Sequence, residues 1–156
     1  MRTEPPLDGD ERTVLVGWLD FHRETLAMKC DGLAPDDLAR RPIAGSAMSL
    51  LGLVRHLAEI ERSWFRRTFA GEPVDDLPFG VDPFESGVDD AATALATWRA
   101  EVEAARAVIS RTLTLEDRGA SGLPMRFWLV KTLNEYARHN GHADIVRELL
   151  DGSTGE

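Results

Sequence analysis

Cysteine is nearly missing from this chain: Cys30 is the only one among 156 residues. A lone thiol excludes an intrachain disulfide and any zinc site built from cysteine alone. Lysine is almost as scarce, at positions 29 and 131 only, and the 18 Lys+Arg are outnumbered by 27 Asp+Glu, for a formal net charge of −9. That balance excludes a general nucleic-acid binder, which needs a basic face to neutralise phosphate. No apolar run approaches the roughly 20 residues of a membrane span, so no membrane partner is expected. The first twenty residues lack a charged start followed by an apolar stretch, so no signal peptide is expected either. Sustained period-two alternation is also missing, which removes a sheet. What is present, 43% hydrophobic and 29% charged residues, is the balance of a globular protein. The length suits one domain over residues 1–156 with a single core, and the expected location is cytoplasmic.

Prolines and glycines divide the chain into four long segments. Residues 1–9 are a loose lead with Pro5, Pro6 and Gly9, and Gly152 stops the last segment before a tail that frays at 152–156. Between them lie 10–31, 47–70, 89–113 and 125–150, each poor in breakers. A short turn of helix is expected near Asp36–Arg40, with Pro35 at its first position. Each long segment has apolar residues at spacings of three and four: Val14, Trp18, Phe21, Thr25 and Met28 in the first; Leu50, Leu53, Leu57, Ile60 and Trp64 in the second; Ala91, Leu95, Trp98, Val102, Ala105 and Ile109 in the third. Such stripes predict four amphipathic helices, capped by Ser46 or Ser49 in the second and by Asp89 or Asp90 in the third. Four helices of this kind bury their stripes by packing as an all-α four-helix bundle. The loop 71–88 is long enough to run back along the bundle, which lets the third helix lie parallel to the second.

The seam of the last helix is anomalous. It reads Trp128, Thr132, Glu135, His139, His142, Val146 and Leu149, apolar at both ends with a carboxylate and two imidazoles between. Buried charge is ordinarily paired or metal-bound. Glu135 and His139, four apart, project from one face, and His56 borders the stripe of the second helix. Two His and one Glu with an open fourth position form one kind of catalytic zinc site, and the same donors accept nickel, manganese or iron. The competing reading is a hydrogen-bonded Glu/His pair with ordinary histidines at positions 56 and 22. The four tryptophans, 18, 64, 98 and 128, are expected in the core or a pocket wall. Arg66 and Arg67 read as a solvated helix end, and Glu72, Asp75, Asp76, Asp82 and Glu85 as solvated loop acids. Phe79 and Phe84 are expected at a pocket mouth or a partner surface. Lys131, one turn before Glu135, is placed to pair with it.

The run MSLLGLVRHLAEIERSWF (48–65) resembles the second helix of the DinB/YfiT-like metalloenzyme superfamily, and NEYARHNGHADIVRELLDG (134–152) resembles the last helix of one of its branches. The resemblance covers nearly the whole chain from about residue 10. It implies a bundle in up-down-down-up order and a divalent metal, zinc first, held by a His of the second helix and a pair four apart on the last. Carried onto this sequence, the ligands are His56, Glu135 and His139, with His142 beside the metal as an outer group or fourth ligand. Close relatives often have His where this chain has Lys131. Superfamily members with assigned activity are transferases and isomerases that use mycothiol, bacillithiol or glutathione. The resemblance therefore implies a metal-dependent enzyme acting with a small-molecule thiol, as transferase, isomerase or hydrolase. A non-catalytic metal- or ligand-binding stress-response domain is the alternative. Relatives often form homodimers; for this chain the resemblance leaves a homodimer open, and no separate interface stripe stands out in the sequence.

Overall fold

The computed structural model describes residues 2–80, 82–84 and 91–154. The helices are α1 (Glu11–Cys30), α2 (Pro35–Ala39), α3 (Leu50–Glu61), α4 (Ala91–Arg111) and α5 (Met125–Asp151), and α3 continues without a break into π-helical turns over Arg62–Phe69. Among the described residues there is no strand, only an isolated bridge between Arg118 and Pro124. Side chains supply the missing partners of helix ends: Asp10 accepts from the Thr13 N–H and Ser49 from the Gly52 N–H. Gly152, at φ 77°, ends α5 in a left-handed conformation that suits glycine. Asp89 and Asp90, the expected caps of α4, lie outside the described residues, as does Glu85.

Polar contacts fix the direction of each helix. Arg12 near the start of α1 donates to the Ile109 carbonyl near the end of α4 (3.0 Å), so these two are antiparallel. Arg126 at the start of α5 pairs with Glu11 at the start of α1 (2.7 Å), and Lys29 at the end of α1 pairs with Asp144 towards the end of α5 (2.7 Å), so these are parallel. Trp64 lies against Trp128 while His56, earlier in α3, lies against His139, so α3 and α5 are antiparallel. The order is up-down-down-up, with α3 and α4 as parallel neighbours, the geometry that the long 71–88 connection predicts. No described helix is long and apolar enough to cross a membrane.

The core holds Leu19 and Leu26 of α1, Leu53 and Leu57 of α3, Trp98 and Val102 of α4, and Leu129, Ala143 and Val146 of α5. Three stripes differ from the sequence reading. In α1 the buried line is Leu19, Arg23, Leu26 and Cys30, and Trp18 is 42% exposed. The face was misread because a charged residue occupies its centre. In α3 the pattern holds to Leu57, and beyond the adjacent Ala58 the buried positions are Glu61, Phe65 and Phe69. They recur every four residues because the wider π winding changes the period. In α5 Trp128, Thr132 and Val146 of the expected stripe are buried, but Leu149 is exposed, and Leu129, Tyr136 and Ala143 beside the stripe are buried as well.

Arg23 is central to a buried polar network. Its Nε and Nη2 donate to the two oxygens of Glu61 (2.8 and 2.7 Å), a bidentate pair with both side chains buried. The Tyr136 hydroxyl donates to Glu61 Oε1 (2.8 Å) and accepts from Trp98 Nε1 (2.9 Å). Arg23 Nη1 reaches Asp20 (2.9 Å), which also accepts from Arg106 (3.0 Å). Burial opposes the charge on Arg23, but the adjacent Glu61 carboxylate outweighs it and holds the guanidinium protonated. Burial and the same carboxylate push the Tyr136 phenol well up, so it remains a donor. One continuous network thus joins α1, α3, α4 and α5.

Arg66 and Arg67 are not a solvated helix end. Arg66 pairs with Glu72 (2.8 Å) and with buried Glu101 of α4 (3.1 Å), and Arg67 with Glu59 (3.2 Å) and Asp76 (2.8 Å). Glu72, expected to be solvated, and Asp76, which is 91% exposed as expected, tie the loop after Phe69 to the π-helical turns.

Candidate metal centre

The antiparallel crossing of α3 and α5 brings His56 opposite Glu135 and His139. Glu135 Oε2 lies 3.2 Å from His139 Nε2 and 3.9 Å from His56 Nε2. The His56 and His139 rings meet edge-on with centroids 4.7 Å apart. One donor atom from each residue falls within 4.8 Å of the other two. The three side chains are 28%, 17% and 13% exposed, for His56, Glu135 and His139 in turn. They border the core rather than occupying its centre: the neighbouring Tyr136 and Asn140 turn inward.

The donor set fits a small divalent cation. Zinc binds imidazole nitrogen and carboxylate oxygen at about 2.0–2.2 Å, which sets tetrahedral donors about 3.3 Å apart. Observed separations of 3.2 and 3.9 Å, none above 4.8 Å, are within side-chain rotation of that spacing. His142 Nδ1 lies 3.3 Å from His139 Nδ1, on the ring edge away from Glu135. Such a partner fixes a ligand histidine's tautomer and orientation. His142 thus stands behind His139, outside the three-residue cluster.

Lys131 is not paired with Glu135. Its Nζ lies 4.1 Å from the Trp64 ring centroid and 5.4 Å from that of Trp128. His22, on α1, lies against Asn140 of α5, its Nδ1 3.3 Å from the amide nitrogen, and is outside the cluster. Cys30 is buried, and burial pushes its thiol up to about 12, so it is inert.

A cavity of about 560 Å³ opens beside His56, lined among others by Arg55, Glu59, Asp76, Leu77 and Phe79. Phe79 is where a mouth residue was expected. Phe84 faces His56 (ring centroids 6.1 Å) and rests directly on Gly52, where an added Cβ would lie 2.4 Å from Phe84 Cδ1. Sequence reasoning missed Arg55, Glu59 and Gly52. The last had a signal: a glycine inside an otherwise regular helix marks a close approach.

The metal-free site is held neutral at both imidazoles. Burial lowers the pKa of His56, against the pull of Glu135. Burial, then the neighbouring His56, lowers that of His139 to about 4. A histidine depressed in the fold takes up its proton more readily when unfolded. Stability from this source is therefore complete above about pH 6.5, the unfolded value, and is lost as pH falls towards 4. In urea unfolding of metal-free protein, the midpoint should drop between pH 7 and pH 5. His139→Gln should shrink that drop; an unchanged pH dependence in the variant would refute the assignment.

Fold and donor set together define a DinB-like helical bundle with a His/Glu/His cluster suited to a divalent metal. The family model for mycothiol-S-transferase matches residues 14–152, nearly the full chain, and the chain belongs to that family. No curated protein matches it.

Proposed function

We propose that this protein is a metal-dependent transferase that uses a low-molecular-weight thiol of the mycothiol class, with His56, Glu135 and His139 as the metal ligands. The observation that carries the reading is the convergence of these three donors beside a cavity, in a chain of the mycothiol-S-transferase family. Zinc is the first choice for two nitrogens and one oxygen in a partly buried site. When bound, such a metal supplies the positive charge that lets a thiol lose its proton at neutral pH.

The chain's own residues do the remaining work. Neutral His56 and His139 have lone pairs ready for a cation, and Glu135 adds the single negative charge. His142 holds the His139 ring in place from behind. Phe84 packs beside His56, and Phe79 forms part of the cavity wall. Arg55, Glu59 and Asp76 offer donors and acceptors along the cavity wall, which suits a thiol borne on a hydroxyl-rich sugar body better than a purely apolar one.

The test begins with protein purified without an affinity tag. Elemental analysis should find near-stoichiometric zinc or tight zinc uptake on titration. The zinc-loaded protein should then bind mycothiol and transfer it to a bimane electrophile. Absence of any tightly held transition metal removes the metal reading. Thiol binding without transfer to any electrophile replaces catalysis with the binding-domain reading, which the aromatic-held Lys131, a position that donates no ligand here, would favour.

A further inference from the structure

A second concavity, of about 470 Å³, lies at the start of α5 and is lined by Pro124, Arg126, Phe127, Val130, Lys131 and Asn134. Its walls are largely apolar, and Phe127 and Val130 are 42% and 51% exposed. Two cations reach it, in different states. Arg126 is compensated twice, by Glu11 (2.7 Å) and by Glu116. Lys131 has no carboxylate within ion-pair distance among the described residues; its ammonium lies over the face of Trp64 with Trp128 and Phe127 beside it.

Ring faces attract a cation without cancelling its charge as a carboxylate would. In a chain of net charge −9 with only two lysines, the other, Lys29, is paired with Asp144. Trp64 belongs to the π-helical turns, and such turns are frequent at functional sites. The fold thus holds an uncompensated ammonium at the edge of an apolar hollow. An apolar surface with one positive charge at its rim complements a molecule with an apolar body and one negative end.

We propose that this hollow binds a small amphiphilic carboxylate, an aromatic or alkyl acid whose carboxylate meets Lys131 and whose body lies on Pro124, Phe127 and Val130. The site is distinct from the His56/Glu135/His139 cluster and does not require a metal there.

The probe is 4-phenylbutyrate, titrated into metal-free full-length protein and followed by tryptophan fluorescence, since Trp64 and Trp128 flank the ammonium. Saturable binding is expected, and the uncharged amide of the same acid should bind at least about tenfold more weakly, because a charge-assisted contact is lost. Lys131→Gln should weaken the acid by a similar factor. Val130→Glu, at a half-exposed position in the lining of the hollow, should abolish binding by placing a like-charged carboxylate where the ligand's body would lie. His139→Ala should leave the affinity unchanged. Equal binding of acid and amide, undiminished binding by Lys131→Gln, or no saturation would overturn the proposal. Loss of binding in His139→Ala would move the ligand to the metal cluster and overturn it as well. None of these outcomes depends on metal or thiol, so they leave the transferase reading to its own test.

Discussion

Glu61→Leu should cost about 3–5 kcal/mol, the usual penalty for leaving one member of a buried ion pair without its partner. Here the stranded group is Arg23, with its guanidinium inside the core and Tyr136 deprived of its acceptor. Against a total stability of about 5–15 kcal/mol, the loss is large enough to leave much of the protein unfolded at 37 °C. Urea unfolding measures it directly. The double variant Arg23→Met/Glu61→Leu should lose clearly less than the single one, because no charge is left buried. A single variant within about 1 kcal/mol of the parent would show that the network is peripheral to stability. Glu61 lies five residues after His56, and Tyr136 directly follows Glu135. The same contact therefore sets the spacing of α3 and α5 at the candidate metal centre, and zinc affinity should fall with it.

His139→Ala should remove tight metal binding, with the helical circular dichroism retained. His139 offers a donor atom 3.2 Å from Glu135, and alanine offers none. His142→Ala is the informative companion. Groups that orient a metal ligand typically contribute about 10–100-fold in affinity, and His142 touches the far nitrogen of His139. The expected order of zinc affinity is parent, His142→Ala, then His139→Ala, measured by competition with a chelator. If His142→Ala proved as damaging as His139→Ala, His142 would be a direct ligand rather than a support behind one.

Much of the bundle was legible in the sequence because breakers and periodicity are local signals. The segments 10–31, 47–70, 89–113 and 125–150 anticipate α1, α3 with its π-helical continuation, α4 and α5 closely. Pro35 starts α2 and Gly152 ends α5. The pair Glu135/His139 was visible because four residues is a helical repeat, and His56 because it borders an apolar stripe. Other features depend on partners remote in sequence. Nothing near Arg23 indicates that it is buried; that depends on Glu61, thirty-eight residues away. The apolar stripe read through Trp18 and Met28 is one residue out of phase with the buried line for that reason. The π-helical winding likewise leaves no composition signal, yet it decides that Phe65 and Phe69, rather than Trp64, enter the core and that Trp64 faces Lys131. Arg66 and Arg67 resemble any exposed basic pair until Glu72 and Glu101 are brought beside Arg66, and Glu59 and Asp76 beside Arg67.

The parallel arrangement of α1 with α5, and of α3 with α4, has a consequence for how the molecule comes together. α1 and α5 lie far apart along the chain, and α3 and α4, though consecutive, run parallel across the long 71–88 connection, so neither pairing grows by zipping up a local hairpin. Folding must close long loops before those contacts form, and chains built this way fold more slowly than bundles of successive hairpins. During synthesis, α1, α3 and α4 emerge before α5 exists. Until α5 docks, Arg23 and Glu61 lack Tyr136, and His56 faces none of its companions. The candidate metal centre is therefore completed only when α5 docks, and a cation held there would act as a clasp between α3 and α5.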